Sequence, residues 1–334
     1  MGKIDQVLGN HSIKEYIKSA MRLNRISHSY IIEGEKGSGK KMLAESFASI
    51  LQCEQGAFPE CGNCESCIQI DHGNHPDVIL VMHEKEKTIS VQDIRDQIVS
   101  TAEIKPYRGP YKIYIVDEAE KMTQEAQNAL LKTIEEPPEY VVIFLLVNNR
   151  GALLETILSR CILLETEPVR QGQIREYLRQ HRDLPEEEIE FASGFSMGNI
   201  GKGLAVLDSR DFWERKEISL SLLRSIPSIR VENINKYTGQ LKQHKNRIQD
   251  VFDIFLIWYR DLLILKTTGQ RRRLVFSGEY EHLLLQCDII SFESLDRIIR
   301  DIEKAENRVR ANVNYEALLL VLFTRIRREY RLEE

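Results

Sequence analysis

A glycine-rich loop near the start of the chain has the residue types that bind a phosphate group. Residues 34–41 read GEKGSGKK, which follows the pattern of a nucleotide-binding phosphate loop up to its last position. That position normally holds a Ser or Thr hydroxyl that coordinates magnesium, and here it holds Lys41, whose ammonium group repels a cation. The loop amides and Lys40 can still hold an anion, so we predict weak or absent binding of ATP and magnesium. A glycine turn that only caps a helix is the alternative interpretation. The candidate phosphate-binding residues are Gly34, Gly37, Ser38, Gly39, Lys40 and Lys41.

An acidic pair follows a predicted buried strand over residues 112–116. Asp117 and Glu118 come at the carboxyl end of this strand, where ligands bind in open parallel sheets. In an active ATPase such an Asp holds magnesium through water, and such a Glu orients or deprotonates the attacking water. The alternative is a solvated acidic turn before a helix that Thr123 caps. Beside a degenerate phosphate loop, we interpret the pair as vestigial catalytic residues.

A further predicted strand, over residues 141–147, ends in Asn148 and Asn149. An amide in this place can sense a phosphate or position a water molecule, and it can equally be a turn residue. Both interpretations stay open. Shortly afterwards, Ser159-Arg160-Cys161 leads into the apolar stretch 162–164.

Four cysteines form a second, independent signal. Cys53, Cys61, Cys64 and Cys67 have the spacing C-x7-C-x2-C-x2-C. Four thiolates so close in sequence suit tetrahedral zinc, and a closed ligand set is typical of a structural site. Disulfides and spare reduced thiols are the alternatives. Because the N-terminal MGKIDQVLGN has no apolar core typical of a signal peptide, we expect a cytoplasmic chain and favour zinc.

The elements around these residues predict an α/β domain followed by helices. A strand over 30–32 precedes the phosphate loop and a helix follows it. Strands and helices alternate across residues 1–166, which predicts a parallel sheet with the cysteine module, about residues 53–67, inserted after the helix. Residues 167–208 form a second domain, with short helices over 173–180 and 185–192. Residues 209–334 form a helical domain, with predicted helices over 212–226, 235–266, 294–310 and 315–330.

Composition and charge exclude several functional classes. The chain has 334 residues, of which 42% are hydrophobic and 29% are charged, as in ordinary globular proteins. Its most apolar stretch, 252–265, is too short to cross a bilayer. Phe255, Trp258 and Leu262 mark one face of an amphipathic helix there. The net charge of −5 argues against strong independent DNA binding, so any DNA contact is expected to be shared with partner subunits.

Two further motifs indicate a family. Residues 130–138, LLKTIEEPP, and residues 157–161, ILSRC, resemble the clamp-loader branch of the AAA+ ATPases. The similarity spans roughly residues 1–208, and over the C-terminal part it rests on length and helical character. It implies an AAA+ P-loop domain with a zinc module, a small helical lid domain and an all-α collar domain that holds a ring of subunits together.

The resemblance also implies roles for two residues. In the family the arginine of Ser-Arg-Cys, here Arg160, is an arginine finger that reaches the ATP bound by a neighbouring subunit. A guanidinium group in that place stabilises charge on the transferring phosphoryl group; an ordinary ion-pair partner is the alternative. Motor subunits place an arginine of the sensor 2 region on their own nucleotide, and Gly201 stands at that position. The changes at Lys41 and Gly201 together predict a subunit that donates a finger without turning over ATP.

The predicted function is therefore that of a non-motor (stator) subunit of the bacterial DNA polymerase III clamp loader. The resemblance implies gamma/tau-type motor subunits and a delta subunit as partners. It also implies that the sliding clamp is contacted indirectly, that primed DNA is bound as part of the complex, and that no membrane is involved. One alternative is an active AAA+ ATPase, either a loader motor subunit or a related remodeller. Another is a zinc-dependent nucleic-acid-binding module, which the acidic balance disfavours.

Overall fold

The structure is a computed structural model and describes residues 2–56, 58–83, 85–244, 247–310 and 314–330. The chain divides into two compact units. The first comprises Met1–Tyr177 with Ser196–Lys202, and the second comprises Leu178–Phe195 with Gly203–Glu334.

A parallel sheet of five strands is the centre of the first unit. Its strand order is β2-β3-β4-β1-β5, and every neighbouring pair is parallel. The predicted strands over 112–116 and 141–147 are confirmed, the strand predicted over 30–32 is one residue longer at each end, and the apolar stretch 162–164 lies in the edge strand. The strands are β1 (Ser29–Glu33), β2 (Val78–Leu80), β3 (Lys112–Val116), β4 (Val141–Val147) and β5 (Ile162–Glu165).

Helices cover both faces of the sheet, because parallel strands need crossover connections. Along β4 the side chains alternate between two hydrophobic clusters: Ile143 and Leu145 belong to one, and Phe144 and Leu146 belong to the other. This explains why all seven residues of β4 are buried. The helices of this part of the chain are α1 (Lys3–Gln6), α2 (His11–Arg22), α3 (Lys40–Gln52), α4 (Glu65–Asp71), α5 (Val91–Ile94), α6 (Ser100–Ala102), α7 (Gln124–Glu135) and α8 (Glu155–Leu158).

Helix α7 begins and ends where its sequence predicts. The Thr123 side chain accepts a hydrogen bond from the backbone N–H of Ala126 at 3.2 Å, which satisfies one of the free donors of the first turn. The helix ends at Glu135, just before Pro137, which cannot continue it.

The elements described after β5 are helices and short 3-10 turns. The prediction of one helix over 235–266 is wrong, because the structure has two helices there, Val231–Lys242 and Ile248–Thr268. Residues 242–247 read KQHKNR, so no apolar side chain is available there to bury a helix face; residues 245 and 246 lie outside the described residues. The helices are α9 (Gln171–His181), α10 (Glu186–Phe195), α11 (Ile200–Leu207), α12 (Arg210–Ser225), α13 (Val231–Lys242), α14 (Ile248–Thr268), α15 (Tyr280–Ile289), α16 (Phe292–Arg310) and α17 (Tyr315–Glu329).

Helix α14 is the central helix of the second unit. Phe255, Trp258 and Leu262 are buried as predicted, and Ile254 and Tyr259, four residues from Trp258 and Phe255 and so on the same side of the helix, are buried with them. The helix packs against α12, α15 and α16, so it is enclosed on more than one side. The predicted apolar face is therefore confirmed, and the exposed Gln249 and Thr267 lie on the opposite side of the helix. Among the described residues, none of the helices has the length and apolar character needed to cross a membrane.

Candidate functional site

The candidate phosphate site lies at the carboxyl end of the sheet. Strands β3, β4 and β1 are adjacent, so the segments that follow them meet at one edge. They enclose a cavity of about 440 Å³ that is lined by Lys40, Lys41, Asp117, Glu118 and Asn148, among others. The structure thus brings together the loop, the acidic pair and the first of the two asparagines.

Two glycines of the loop have backbone conformations that other residues rarely adopt. Gly37 and Gly39 both have φ of 89°, in the left-handed region that favours glycine. Gly39 is the N-cap of α3, so the loop turns directly into the helix that Lys40 begins. The backbone N–H of Gly34 donates to Val147 O at 3.1 Å and fastens the start of the loop to β4.

The Lys40 ammonium group is occupied within the chain. It donates to Gly34 O at 2.7 Å, to Glu35 O at 3.0 Å and to Asn148 Oδ1 at 2.9 Å. An ammonium group has three N–H donors, so these contacts use all of them. Lys40 is only 8% exposed, and burial lowers the pKa of Lys40 below its usual value, against the opposing effect of nearby carboxylates.

Asn148 is held at both ends of its amide. Its Oδ1 accepts from Lys40, and its Nδ2 donates to Glu120 Oε1. Glu120 belongs to the 3-10 turn Ala119–Lys121 that follows the acidic pair. Of the two interpretations left open for Asn148, a phosphate-facing position is the one its place in the cavity favours. Asn149 instead accepts from Gly151 N at 2.8 Å and acts as a turn residue.

The acidic pair is also engaged locally. Asp117 Oδ1 accepts from the backbone N–H of Glu118 at 2.9 Å. Glu118 has φ of 50°, and its carboxylate lies 2.5 Å from Lys121 Nζ. The hydrogen bond from Lys121 holds the pKa of Glu118 below its usual value. An ionised carboxylate paired with a lysine is a weaker base for water than a free one.

The position for a magnesium-coordinating hydroxyl is filled by Lys41, an exposed residue on the first turn of α3 that lines the same cavity. Gly201, which the family resemblance is expected to place where motor subunits carry the sensor 2 arginine, lies directly against the phosphate loop. Its backbone N–H donates to Gly37 O at 3.1 Å. A Cβ atom added to Gly201 would come within 2.6 Å of Gly37 Cα, so no side chain fits there without displacing the loop backbone.

The buried Asn199 reinforces this contact. Its Nδ2 donates to Lys36 O at 2.9 Å and to Glu35 Oε2 at 3.3 Å, and its Oδ1 accepts from the backbone N–H of Lys202 at 3.1 Å. The segment Ser196–Lys202 is therefore hydrogen-bonded to the loop by both backbone and side chain.

Arg160 lies away from this cavity, on the turn between α8 and β5. Its guanidinium group pairs with Glu135 at 3.0 Å and donates to Thr156 O at 3.0 Å and to Ser159 Oγ at 3.1 Å. The Arg160 side chain is 40% exposed. An exposed ion pair of this kind contributes little to stability, so the guanidinium group can exchange Glu135 for another anion at low cost.

The four cysteines of the predicted module meet in space. The Sγ atoms of Cys53, Cys61, Cys64 and Cys67 all lie within 4.8 Å of one another, and those of Cys61 and Cys67 are 4.0 Å apart. Sulfur atoms bound tetrahedrally at about 2.3 Å from one ion are separated by a little less than 4 Å, so the group could hold a structural metal. Backbone N–H groups of Cys61 and Cys64 point at the sulfur atoms of Cys53 and Cys61, at 3.5 and 3.3 Å.

Sequence reasoning missed three residues of these sites. Glu120 and Asn199 hold Asn148 and the phosphate loop, and Glu135 holds Arg160. Glu120 could have been suspected, since it is the third acidic residue in the run 117–120. Asn199 gave no signal, because its contacts depend on how a distant segment packs.

Comparisons by sequence find subunits of DNA polymerase III. A family model described as DNA polymerase III, delta subunit matches residues 9–170. The delta' subunit of DNA polymerase III from Bacillus subtilis is 25% identical over 312 residues, which cover 92% of this chain and 93% of that protein. The tau/gamma subunit from Haemophilus influenzae is 36% identical over 187 residues, which cover 55% of this chain and 26% of that protein. This chain thus spans about a quarter of the length of that relative. Among solved structures, a gamma-subunit-related protein from Thermotoga maritima has a TM-score of 0.42 and 21% identity, covering 94% of this chain and 99% of that chain.

Proposed function

Because the chain belongs to the clamp-loader family of bacterial DNA polymerase III subunits, we propose that it is the delta prime subunit of such a loader. In this role it is a non-motor (stator) subunit that assists ATP-dependent loading of the sliding clamp on primed DNA. The match to a delta' subunit along nearly the whole of both chains supports this assignment over a general AAA+ role.

The observation that carries the non-motor part is the state of Lys40. In a working phosphate loop this lysine reaches the outer phosphates of the nucleotide, whereas here its three donors are used by Gly34, Glu35 and Asn148. Lys41 at the magnesium position and Gly201 packed on the loop also disfavour the binding of ATP and magnesium. ATP and magnesium binding in the chain's own site is weak or absent.

The catalytic contribution lies in a neighbouring subunit. Arg160 donates an arginine finger in trans to the ATPase site of a gamma/tau-type motor subunit. Its exposure and its weak pairing with Glu135 support this role, because a finger must leave its resting partner to reach a phosphate. A delta subunit is the other partner, and the sliding clamp and primed DNA are met through the complex.

The metal of the cysteine group is zinc. Four thiolates without an open coordination position suit a structural zinc ion, and the distances between the sulfur atoms fit such a shell. When bound, the ion stabilises the loop between α3 and α4 and takes no part in catalysis.

An active motor subunit is the second candidate. It is favoured by the higher identity to the tau/gamma subunit over the shared region, 36% against 25% for the delta' subunit. The two candidates differ in whether the chain's own site turns over ATP.

Steady-state ATP hydrolysis separates them. The purified chain is assayed alone, with its Glu118→Gln variant as the blank, and again after mixing with gamma/tau and delta subunits. We expect no turnover above the blank for the chain alone, and DNA-stimulated turnover together with a stable complex in the mixture. Turnover by the isolated chain that Glu118→Gln abolishes would overturn the proposal in favour of the motor subunit.

A further inference from the structure

Glu120 is the strongest unassigned feature of the phosphate site. Its carboxylate is the only acidic group, among the described residues, that bonds the Asn148 amide, through the contact from Asn148 Nδ2 to Glu120 Oε1. Its second oxygen, Oε2, is buried and has no hydrogen-bond partner in the described part of the chain. A buried carboxylate oxygen without a donor is costly unless a charge nearby compensates it.

Lys40 is a positive charge that is linked to this carboxylate. The two residues are joined through one amide, since Lys40 Nζ donates to Asn148 Oδ1 at 2.9 Å and Asn148 Nδ2 donates to Glu120. Among the carboxylates that favour the charged form of Lys40, Glu120 has the largest effect on its pKa, ahead of Asp117 and Glu118. Lys40, Asn148 and Glu120 therefore form a hydrogen-bonded chain in which the amide joins the positive charge to the negative one.

A bound nucleotide would need Lys40 and Asn148 for its own contacts. The terminal phosphates of a nucleoside triphosphate take the loop lysine as their cation and use a polar side chain at the end of the neighbouring strand. Here Glu120 supplies the negative charge that these phosphates would bring. A phosphate that entered the site would have to break the hydrogen bonds from Lys40 to Asn148 and from Asn148 to Glu120, and would approach a carboxylate of the same sign of charge.

We propose that Glu120 is an internal anion that substitutes for the terminal phosphate of a nucleotide and excludes nucleoside triphosphates from this site. It acts through Asn148 and Lys40 and does not itself touch a reacting atom. This inference rests on the proposed function, because it explains how a phosphate loop with its lysine intact stays free of nucleotide.

The test is a titration of a fluorescent ATP analogue carrying an N-methylanthraniloyl group, with magnesium and with EDTA. The proteins are wild type, Glu120→Gln, which removes the charge, and Glu120→Asp, which keeps it. Glu125→Gln, an exposed change five residues further on, is the matched control. Each change is also introduced beside Lys41→Thr, which supplies a hydroxyl for magnesium.

We expect Glu120→Gln to bind the analogue at least about tenfold more tightly than wild type, because the change removes a negative charge that repels the phosphates. Glu120→Asp and Glu125→Gln should bind like wild type, and Lys41→Thr should make the gain depend on magnesium. A gain of binding cannot come from a damaged fold, so a structural role alone would not produce it.

Equal binding by wild type and Glu120→Gln in both backgrounds would overturn the inference, and so would an equal gain in Glu120→Asp. Failure of the proposed function has a different signature, namely ATP turnover by the unmodified chain. If wild type shows no ATP turnover and Glu120→Gln shows no tighter binding of the analogue, only the role of Glu120 is contradicted.

Discussion

The four cysteines connect two helices that begin at different parts of the first unit. Cys53 directly follows α3, the helix that starts at the phosphate loop, and Cys64 is the N-cap of α4. Arg108 strengthens the same region through contacts with Glu54 at 3.3 Å and Glu65 at 2.5 Å. A metal bound by the cysteines therefore fixes the far end of α3 and the start of α4 at once.

We predict about one tightly bound zinc per chain, because four thiolates complete a tetrahedral shell. Cys64→Ser should lose the metal and loosen the loop around residues 53–67, since structural zinc contributes folding free energy directly. ATP hydrolysis by a loader assembled with this variant should be mostly unchanged. Elemental analysis and thermal unfolding in reducing, chelator-free buffer measure the first two effects.

The control for this change is Cys161→Ser, because Cys161 packs against the hydrophobic core and is far in sequence from the cysteine module. It should keep its zinc. A wild-type protein without zinc, or a Cys64→Ser variant that retains it, contradicts the assignment.

Single residues were predictable where their chemistry depends on sequence spacing. The cysteines meet as their spacing indicates, and Lys40, Asp117 and Asn148 meet because strand ends of a parallel sheet converge. The hydrogen bonds that occupy Lys40 were not predictable, since the backbone carbonyls of Gly34 and Glu35 and the amide of Asn148 carry no signal of their direction. A motif identifies a site, but only the contacts show which groups its lysine already bonds.

At the scale of elements, two glycines determine how closely the start of α11 approaches the phosphate loop. Gly201→Ala places a Cβ atom 2.6 Å from Gly37 Cα, and backbone atoms cannot move aside as a flexible side chain can. We expect a loss of about 1–3 kcal/mol in the free energy of unfolding, the usual cost of overpacking. Chemical denaturation measures it.

Gly239→Ala is the matched control, because Gly239 lies within α13 and an added Cβ there meets nothing within 4 Å. It should stabilise the protein by about 0.5–1 kcal/mol, since alanine costs less conformational entropy in a helix. If Gly201→Ala is as harmless as Gly239→Ala, the close contact between α11 and the loop is wrong.

The buried Asp261 of α14 holds the turn that follows the helix. It is fully buried, and its Oδ2 accepts from the backbone N–H of Phe276 at 2.8 Å. Burial raises the pKa of Asp261 to about 6, although the Phe276 hydrogen bond and Arg260 oppose the rise. The folded state therefore binds more protons than the unfolded state, whose aspartates titrate near pH 4, roughly between pH 4 and pH 6.

It follows that this group makes the folded state less stable as the pH rises through that range, by about 2–3 kcal/mol in total. Asp261→Asn can still accept the Phe276 hydrogen bond and does not titrate. Denaturation of both proteins at several values between pH 4 and pH 7 should show that the free energy of unfolding of the variant increases relative to that of wild type as the pH rises. A constant difference over the whole range contradicts the assigned shift.

The strands could be predicted from the sequence more closely than the helical C-terminal part. Strand β4 and residues 113–116 of β3 are continuous apolar runs, each followed by a polar residue, so their ends follow from the pattern. Helix α14 was predicted with the right apolar face but the wrong limits, and apolar periodicity does not show how many neighbours a helix has. Its burial among α12, α15 and α16 depends on tertiary packing.

At the scale of the whole molecule, we propose that the chain carries the parts of an ATPase site but does not turn over ATP alone. The phosphate loop and the acidic pair lie in one cavity, where Lys40 is bonded to Asn148 and Glu118 to Lys121, while Arg160 lies outside this cavity and is partly exposed. The division into domains at 166/167 and 208/209 stays a prediction. A net charge of −5 argues against strong DNA binding by the chain alone.

The most direct test of this account is ATP hydrolysis and clamp loading by a loader assembled with the Arg160→Ala variant. Arg22→Ala, an exposed arginine at the end of α2, is the control. We predict normal assembly and a loss on the order of a thousandfold at the adjoining motor site, with a smaller fall in the total rate because the other sites keep their own arginines. Undiminished hydrolysis and clamp loading in a normally assembled complex would contradict the account and leave Arg160 as the ion-pair partner of Glu135.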